Sequence, residues 1–183
     1  MFKILTCYIK KIMFYLRLKT AGKYKKIEVY KKELGFKAGK NIRITGNITF
    51  GTEAYLLEFG SDITITQNVY FHTHDGGVWV FREEYPEINI FRKTKVGNNV
   101  FIGANSSIMP GVTIGDNVVI AAGSVVARDC DSDSVYGGVP ARKIKTLAEY
   151  KEKVLKEAIF TKSSDAEKRR AEIIEYVNNR QNK

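Results

Sequence analysis

Aliphatic residues recur every six positions in the second half of the chain, and this period constrains the fold more than any other feature. From Val96 to Val126 every sixth position is aliphatic, and the residue after it is usually Gly or Ala. A period of six matches neither an α-helix, which repeats every 3.6 residues, nor one long alternating strand. It predicts an all-β core of short strands joined by tight corners and stacked as the coils of a parallel β-helix.

The same period is present earlier in the chain, with one interruption. The six-residue count holds at Ala38, Ile44, Phe50 and Leu56, slips by three residues, and resumes at Phe59, Ile65 and Phe71. Residues 74–95 then break the pattern and are expected to form a loop. An ordinary β-sandwich is the alternative, although sandwich strands do not hold one six-residue phase over such a length.

Helical patterns flank the repeat. Residues 2–19 place apolar side chains at helical spacing and predict an amphipathic helix. Beyond the repeat, a charged helix is expected over 146–158. Ser164 with Glu167 forms a capping-box pattern that predicts a last helix at 165–178. The expected organisation is a basic helical arm (1–37), a β-helix domain with its loop (38–145) and a C-terminal helical extension (146–183).

The net charge of +10 belongs to the start of the chain. Residues 1–40 hold twelve Lys or Arg and two Glu, whereas the remainder is balanced. This local patch favours an acidic partner such as an anionic membrane surface or a phosphorylated lipid carrier, and does not favour nucleic acid. The arm either makes a peripheral membrane contact through residues 1–20 or packs on the coils or across an oligomer.

Cysteine and histidine counts exclude several classes of protein. Two cysteines, Cys7 and Cys130, are too few for a disulfide framework or a structural zinc site. The only histidines, His72 and His74, exclude a three-histidine metal centre, so no metal is expected. Lysines interrupt the apolar stretch near the N-terminus, which argues against a membrane span or a signal peptide. A cytoplasmic location is therefore expected, either free in the cytoplasm or in peripheral contact with the inner face of the membrane.

The run VGNNVFIGANSSIMPGVTIGDNVVIAAGSVVARD, closed by VYGGVPARKIK, resembles the hexapeptide-repeat acyltransferases. Two further segments, GTEAYLLEFGSDITI and HTHDGGVWVFR, look most like the capsule and O-antigen branch of that family. The resemblance covers roughly residues 35–150. It implies a left-handed parallel β-helix, a homotrimer and acetyl-CoA as cosubstrate.

The resemblance assigns the catalytic base to His74, which lies where the six-residue pattern breaks. A sugar hydroxyl needs a base to become a nucleophile, and an imidazole is suited to that task near neutral pH. His72 is the second candidate, because many relatives carry an apolar residue at its position. The alternative for His74 is a turn histidine that is hydrogen-bonded to Asp75 or to the backbone.

The resemblance also implies where acetyl-CoA binds. Small residues at the corners leave backbone groups accessible to the pantetheine arm, and cations suit the CoA phosphates. The positions that match are Ala104, Ala122, Ala127, Arg128, Arg142 and Lys145. The region of Ala104 would supply the N–H that stabilises the oxyanion. The alternative for the cations is a solvated basic edge.

The acceptor is expected beside the loop that contains His74. Trp79 either stacks on a sugar ring or packs against a neighbouring subunit. Asp75, Glu53 and Tyr55 are further candidates for the acceptor pocket. The leading hypothesis is a sugar O-acetyltransferase of capsule or lipopolysaccharide synthesis. The alternatives are N-acetylation of an amino sugar nucleotide or another small acceptor, and a non-catalytic β-helix scaffold.

Overall fold

The computed structural model describes residues 2–161 and 165–181, with the side chains of the first helix described from Tyr8 onward. The described residues form four α-helices, fourteen short strands and two 3-10 helices. Contacts divide the chain into two compact units, Met1–Leu147 and Ala148–Lys183. The first unit contains all of the strands.

Twelve of the strands follow one another around three faces of a triangular prism, so that every third strand returns to the same face. The first face holds β1 (Lys37–Ala38), β4 (Leu57–Phe59), β7 (Thr94–Val96) and β10 (Thr113–Ile114). The second face holds β2 (Arg43–Ile44), β5 (Thr64–Ile65), β8 (Phe101–Ile102) and β11 (Val118–Ile120). The third face holds β3 (Ile48–Phe50), β6 (Val69–Phe71), β9 (Ser107–Ile108) and β12 (Val125–Val126). All pairings within these three sets are parallel, which confirms the parallel β-helix.

The positions of the six-residue period stack on one another in successive coils. On the second face Ile44, Ile65, Ile102 and Ile120 pair in register, and each is fully buried. Stacking these side chains removes their apolar surface from water, which one coil could not achieve alone. One counted position is wrong: Leu56 lies in a short 3-10 helix (Ala54–Leu56), and Leu57 enters the next strand and is buried in its place.

Asn and Asp residues with left-handed backbone conformations form the corner between the first and second faces. The side chains stack from coil to coil: Asn99 donates to Asn117 at 2.8 Å, and Asn117 donates to Asp133 at 2.9 Å. Asn and Asp tolerate positive φ better than other residues with side chains. The corner residues with positive φ are Asn41, Asp62, Asn99, Asn117 and Asp133.

Two helices lie at the start of the prism. The helix α1 spans Phe2–Thr20, and a second helix, α2, spans Lys26–Leu34. In α2, Ile27 is buried in the core of the first coil, and Tyr30 contacts Phe50 with ring centroids 5.0 Å apart. The sequence pattern does not predict α2, because its few apolar residues are dispersed among lysines.

The prism closes with an antiparallel hairpin of β13 (Ser134–Gly138) and β14 (Ala141–Thr146). The helix α3 (Leu147–Glu157) follows, and then α4 (Ala166–Gln181). The predicted cap Ser164 lies outside the described residues. Asp165 caps α4, since its Oδ1 accepts hydrogen bonds from the N–H groups of Glu167 and Lys168 at 3.0 and 2.9 Å.

Candidate active site

Two loops leave the prism at the same corner, and their register brings His74 beside Glu53. Phe50 and Phe71 end neighbouring strands of the third face and are paired in register. Each candidate residue follows its phenylalanine by three positions, so the parallel stacking places both at one level. The N–H of Gly51 donates to the carbonyl of Phe71 at 2.8 Å and continues that stacking into the loops.

The Glu53 carboxylate accepts three side-chain hydrogen bonds. Thr52 Oγ1 donates to Oε1 at 2.6 Å, and Thr73 Oγ1 donates to Oε2 at 2.8 Å. His74 Nδ1 lies 2.9 Å from the same Oε2. These bonds lower the pKa of Glu53 to about 2, with the bond from Thr52 as the largest cause, ahead of the opposing effect of burial. Glu53 is therefore ionised at neutral pH and can only accept hydrogen bonds.

The ionised carboxylate determines the tautomer of His74. Because Glu53 accepts at Nδ1, that nitrogen carries the proton in the neutral ring, and the lone pair lies on Nε2. Nε2 is thus available to take a proton from a bound hydroxyl. A carboxylate in this position also stabilises the imidazolium that forms when the ring takes up a proton.

The loop that carries His74 runs over residues 72–93 and is closed at its base. The predicted bounds of 74–95 are wrong at both ends, because β6 ends at Phe71 and β7 begins at Thr94. The N–H of Asp75 donates to the carbonyl of Ile90 at 3.0 Å, so the outgoing and returning segments pair. Asp75 Oδ1 also accepts from the N–H of Gly77 at 2.9 Å and begins the 3-10 helix Gly76–Phe81.

A cavity of about 290 Å³ surrounds His74. Trp79 forms one wall with 69% of its surface exposed, and the Arg82 guanidinium lies 5.0 Å from the centre of its ring. Arg82 also donates to Asn89 Oδ1 at 3.2 Å. The cavity is lined by Thr52, Glu53, His74, Asp75, Gly76, Val78, Trp79, Arg82, Asn89, Ile90 and Phe91.

Three of the four predicted acceptor residues, Glu53, Asp75 and Trp79, thus line one cavity with His74. Tyr55 does not line this cavity; it is exposed and lies close to Gly35.

The predicted CoA-contact residues lie elsewhere on the prism and do not line this cavity. Ala104 and Ala122 follow β8 and β11 at the same corner of consecutive coils, where the Ala104 carbonyl accepts from the N–H of Gly123 at 2.7 Å. Ala127 and Arg128 are exposed after β12. The other two cations, Arg142 and Lys145, lie on β14.

The second candidate base, His72, occupies a different environment. Its ring stacks on Tyr70 with centroids 6.2 Å apart, and it does not line the cavity. Burial lowers the pKa of His72, and the nearby His74 lowers it further. Among the described residues, the Glu53 carboxylate pairs with His74 and not with His72.

The described residues offer neither a metal cluster nor a reactive thiol at this cavity. No group of three His, Cys, Asp or Glu within residues 2–161 and 165–181 is arranged to hold a metal ion. Cys130 is buried as its place in the repeat predicts, and burial raises the pKa of its thiol to about 12, helped by Asp129 and Asp131. A thiol with that pKa is not a nucleophile at neutral pH.

Four residues at the site were not predicted from the sequence: Thr73, Arg82, Asn89 and Phe91. Thr73 could have been predicted, because it directly precedes His74. Its register partner in the neighbouring coil is found by counting from Phe50 and Phe71. No sequence signal places Arg82 or Asn89, since their positions depend on how the long loop folds back.

Comparison with known proteins agrees with the fold. Residues 93–128 match the family described as bacterial transferase hexapeptide (six repeats). Protein CapG of Staphylococcus aureus is 46% identical over 133 residues, which cover 72% of this chain and 77% of CapG.

Two solved structures have the same fold over most of their length. A maltose O-acetyltransferase from Clostridium difficile 630 aligns with a TM-score of 0.56 and 28% identity over 74% of this chain and 83% of that one. A galactoside acetyltransferase in complex with coenzyme A aligns with a TM-score of 0.59 and 25% identity over 79% of this chain and 82% of that one.

The stacked hexapeptide coils and these relatives together define an acetyltransferase built on a β-helix. The chain belongs to the hexapeptide-repeat acyltransferase family. Membership also supports the left-handed sense of the coil.

Proposed function

We propose that this enzyme transfers the acetyl group of acetyl-CoA to a hydroxyl group of a sugar, with His74 as the general base. The observation that carries the proposal is the hydrogen bond between His74 Nδ1 and the ionised Glu53, which leaves Nε2 as the basic atom in the cavity. The coenzyme A bound by the galactoside acetyltransferase supports the choice of acetyl donor.

The reaction is a direct transfer in one addition and one elimination. His74 Nε2 takes the proton of the acceptor hydroxyl while its oxygen forms a bond to the thioester carbonyl carbon. The carbon–sulfur bond then breaks, the acetyl ester leaves with the acceptor, and the imidazolium returns the proton to the CoA thiolate. Glu53 stabilises the imidazolium between these two steps. Backbone N–H groups near Ala104 would stabilise the oxyanion.

The exposed ring of Trp79 supports a sugar as the acceptor. It stands in the cavity wall with more than half of its surface open, and aromatic faces bind the apolar faces of sugar rings. The cation–π contact with Arg82 holds the ring in place. The maltose and galactoside acetyltransferases among the relatives point to the same acceptor class.

The separation of the two residue sets within one chain supports a homotrimer with its active sites between subunits. His74 lines the cavity, whereas Ala104 and Arg142 do not. A neighbouring subunit would bring its own CoA-contact residues to this corner. Mixing inactive His74→Ala chains with inactive Arg142→Ala chains, after dissociation and reassembly, should restore part of the activity. Mixtures that stay inactive while forming trimers would contradict the shared site.

The biological role that we propose is acetylation of a capsule or lipopolysaccharide precursor inside the cell. It rests on the two segments that look like the capsule and O-antigen branch, which contain Glu53 and the run from His72 to Arg82. These segments contribute eight of the eleven residues that line the cavity.

Thiol release from acetyl-CoA, followed for a panel of acceptors, tests the proposed function. The panel holds neutral sugars, nucleotide sugars and amino sugar nucleotides, and mass spectrometry locates the acetyl group. We expect acceptor-dependent thiol release and an acetyl ester on oxygen. Transfer only to an amine would overturn O-acetylation in favour of N-acetylation. Absence of release with every acceptor would favour the non-catalytic scaffold.

A further inference from the structure

From Tyr8 onward the helix α1 has two apolar faces, and only one of them contacts other described residues. Phe14 contacts Tyr30 of α2 with ring centroids 5.8 Å apart, and Leu18 on the same side is partly buried. With about 100° of turn per residue, this side points away from the stripe that runs through Ile9, Ile12 and Leu16. Contact with the rest of the chain therefore leaves that stripe unused.

The unused stripe is broad and open to solvent. Ile9, Ile12, Met13 and Leu16 fall within an arc of about 100°. Between 46 and 58% of the surface of each residue is exposed. A contiguous exposed apolar face of this kind is typical of an interaction site. Within the described residues the stripe stays exposed, and Phe14 contacts Tyr30 of α2 from the opposite face of the helix.

Charge shows what kind of partner fits the stripe. The sequence of α1 contains five basic residues and no acidic one, so none of its cations is neutralised within the helix. Lys10 and Arg17 lie along one edge of the stripe and Lys19 along the other. Long basic side chains on either side of an apolar stripe place their aliphatic stems in the interface and their charges at anionic headgroups.

We propose that α1 is an interfacial helix that binds the enzyme to an anionic lipid surface, with Ile9, Ile12, Met13 and Leu16 as the buried stripe. The exposed tyrosines Tyr8 and Tyr15 lie at the border of the stripe, where aromatic rings suit the headgroup level of a bilayer. No described helix is long and apolar enough to cross a membrane. The proposal is independent of the acetyl-transfer reaction.

Co-sedimentation of the full-length protein with lipid vesicles tests this proposal. One set of vesicles contains phosphatidylcholine alone, and the other contains about one quarter phosphatidylglycerol. The salt concentration is raised from about 50 to about 500 mM to screen the charges. We expect binding to the anionic vesicles at low salt, release at high salt and no binding to the neutral vesicles. Absence of binding to anionic vesicles at low salt would overturn the proposal.

Two pairs of variants assign the binding to the stripe and to its flanking charges. Ile12→Asp with Leu16→Asp should abolish binding, whereas Val154→Asp with Leu155→Asp, exposed positions on α3, should leave it unchanged. Arg17→Gln with Lys19→Gln should weaken binding roughly 25-fold, since each cation near such a surface raises the partition about five-fold. Lys151→Gln with Lys153→Gln is the matched control for the charge.

A second copy of the chain is the competing partner for the stripe, and the stripe variant distinguishes it. Under our proposal, Ile12→Asp with Leu16→Asp keeps the molar mass of the wild-type assembly in light scattering and transfers acetyl to a soluble acceptor at the wild-type rate. A smaller mass than the wild type would overturn the proposal and assign the stripe to a subunit interface. If that variant does not fold, unchanged binding by the Arg17 and Lys19 variant would overturn it independently.

Discussion

Oε2 of Glu53 lies 2.9 Å from Nδ1 of His74, although 21 positions separate the two residues in the sequence. The distance follows from the coil. One turn of the prism, including the short loop after Phe50, places the two residues at the same corner on consecutive levels. The contact therefore depends on the length of that loop as much as on the two side chains.

Glu53→Gln should lower kcat by roughly 10²–10⁴-fold, with the KM for acetyl-CoA nearly unchanged. The amide removes the negative charge that orients Nδ1–H and stabilises the imidazolium. Glu58→Gln is the matched control, because Glu58 pairs with Lys37 and Lys93 on the first face of the prism and does not line the cavity. Steady-state kinetics with one acceptor and varied acetyl-CoA measure both parameters. Equal activity of the two variants would count against the role of Glu53.

The ionised Glu53 should also make stability depend on acidic pH. Its pKa in the folded protein is about 2, below the ordinary value of 4.5. The stabilisation is therefore present in full above about pH 4.5 and is lost as the pH falls from there towards about 2. In urea unfolding, the difference in unfolding free energy between wild type and Glu53→Gln should therefore be smaller near pH 3 than near pH 5. A difference that is the same at both pH values would contradict the lowered pKa.

The coils were predictable from the sequence because their register is the period itself. Ile44, Ile65, Ile102 and Ile120 were recognised as inward positions by counting alone, and they stack as counted. The pairing of these strands can be predicted from the period alone, since each residue stacks on its equivalent one coil earlier.

The candidate site was predictable only in part. His74 and Trp79 were singled out because they lie where the repeat breaks, but Glu53 was taken for an acceptor contact and not for the partner of His74. That pairing was predictable by counting, because Glu53 and His74 each follow a residue of the period, Phe50 and Phe71, by three positions. Arg82 reaches the cavity through the fold of a 22-residue loop that has no periodic pattern, so sequence reasoning could not place it.

Cys130→Ala should retain acetyl transfer at close to the wild-type rate and lose only about 1 kcal/mol of stability. The thiol is buried, and its raised pKa of about 12 keeps it protonated at neutral pH. Iodoacetamide treatment of the native enzyme, followed by peptide mapping, should therefore leave Cys130 unmodified until the protein is unfolded. Rapid labelling of the native protein at Cys130, with loss of activity, would contradict this environment.

Gly103→Ala should destabilise the prism by about 1–3 kcal/mol. A Cβ at Gly103 would overlap the backbone of Ala121 and Ala122 in the next coil, and backbone atoms there cannot move aside without breaking the stack. Gly22→Ala is the matched control, since Gly22 lies on the linker between α1 and α2 and a Cβ there would have open space around it. Thermal unfolding compares the two variants, and similar melting temperatures would show that the corner is less tightly packed than described.

The most direct test of the central claim is the acetyl-transfer rate of His74→Ala beside that of His72→Ala. The account predicts that His74→Ala loses roughly 10²–10⁴-fold in kcat while its fold and CoA binding are retained. His72→Ala should stay within a few-fold of wild type, because His72 lies outside the cavity and its ring stacks on Tyr70. Activity of His74→Ala within a few-fold of wild type, or the large loss appearing in His72→Ala alone, would contradict the assignment of the base.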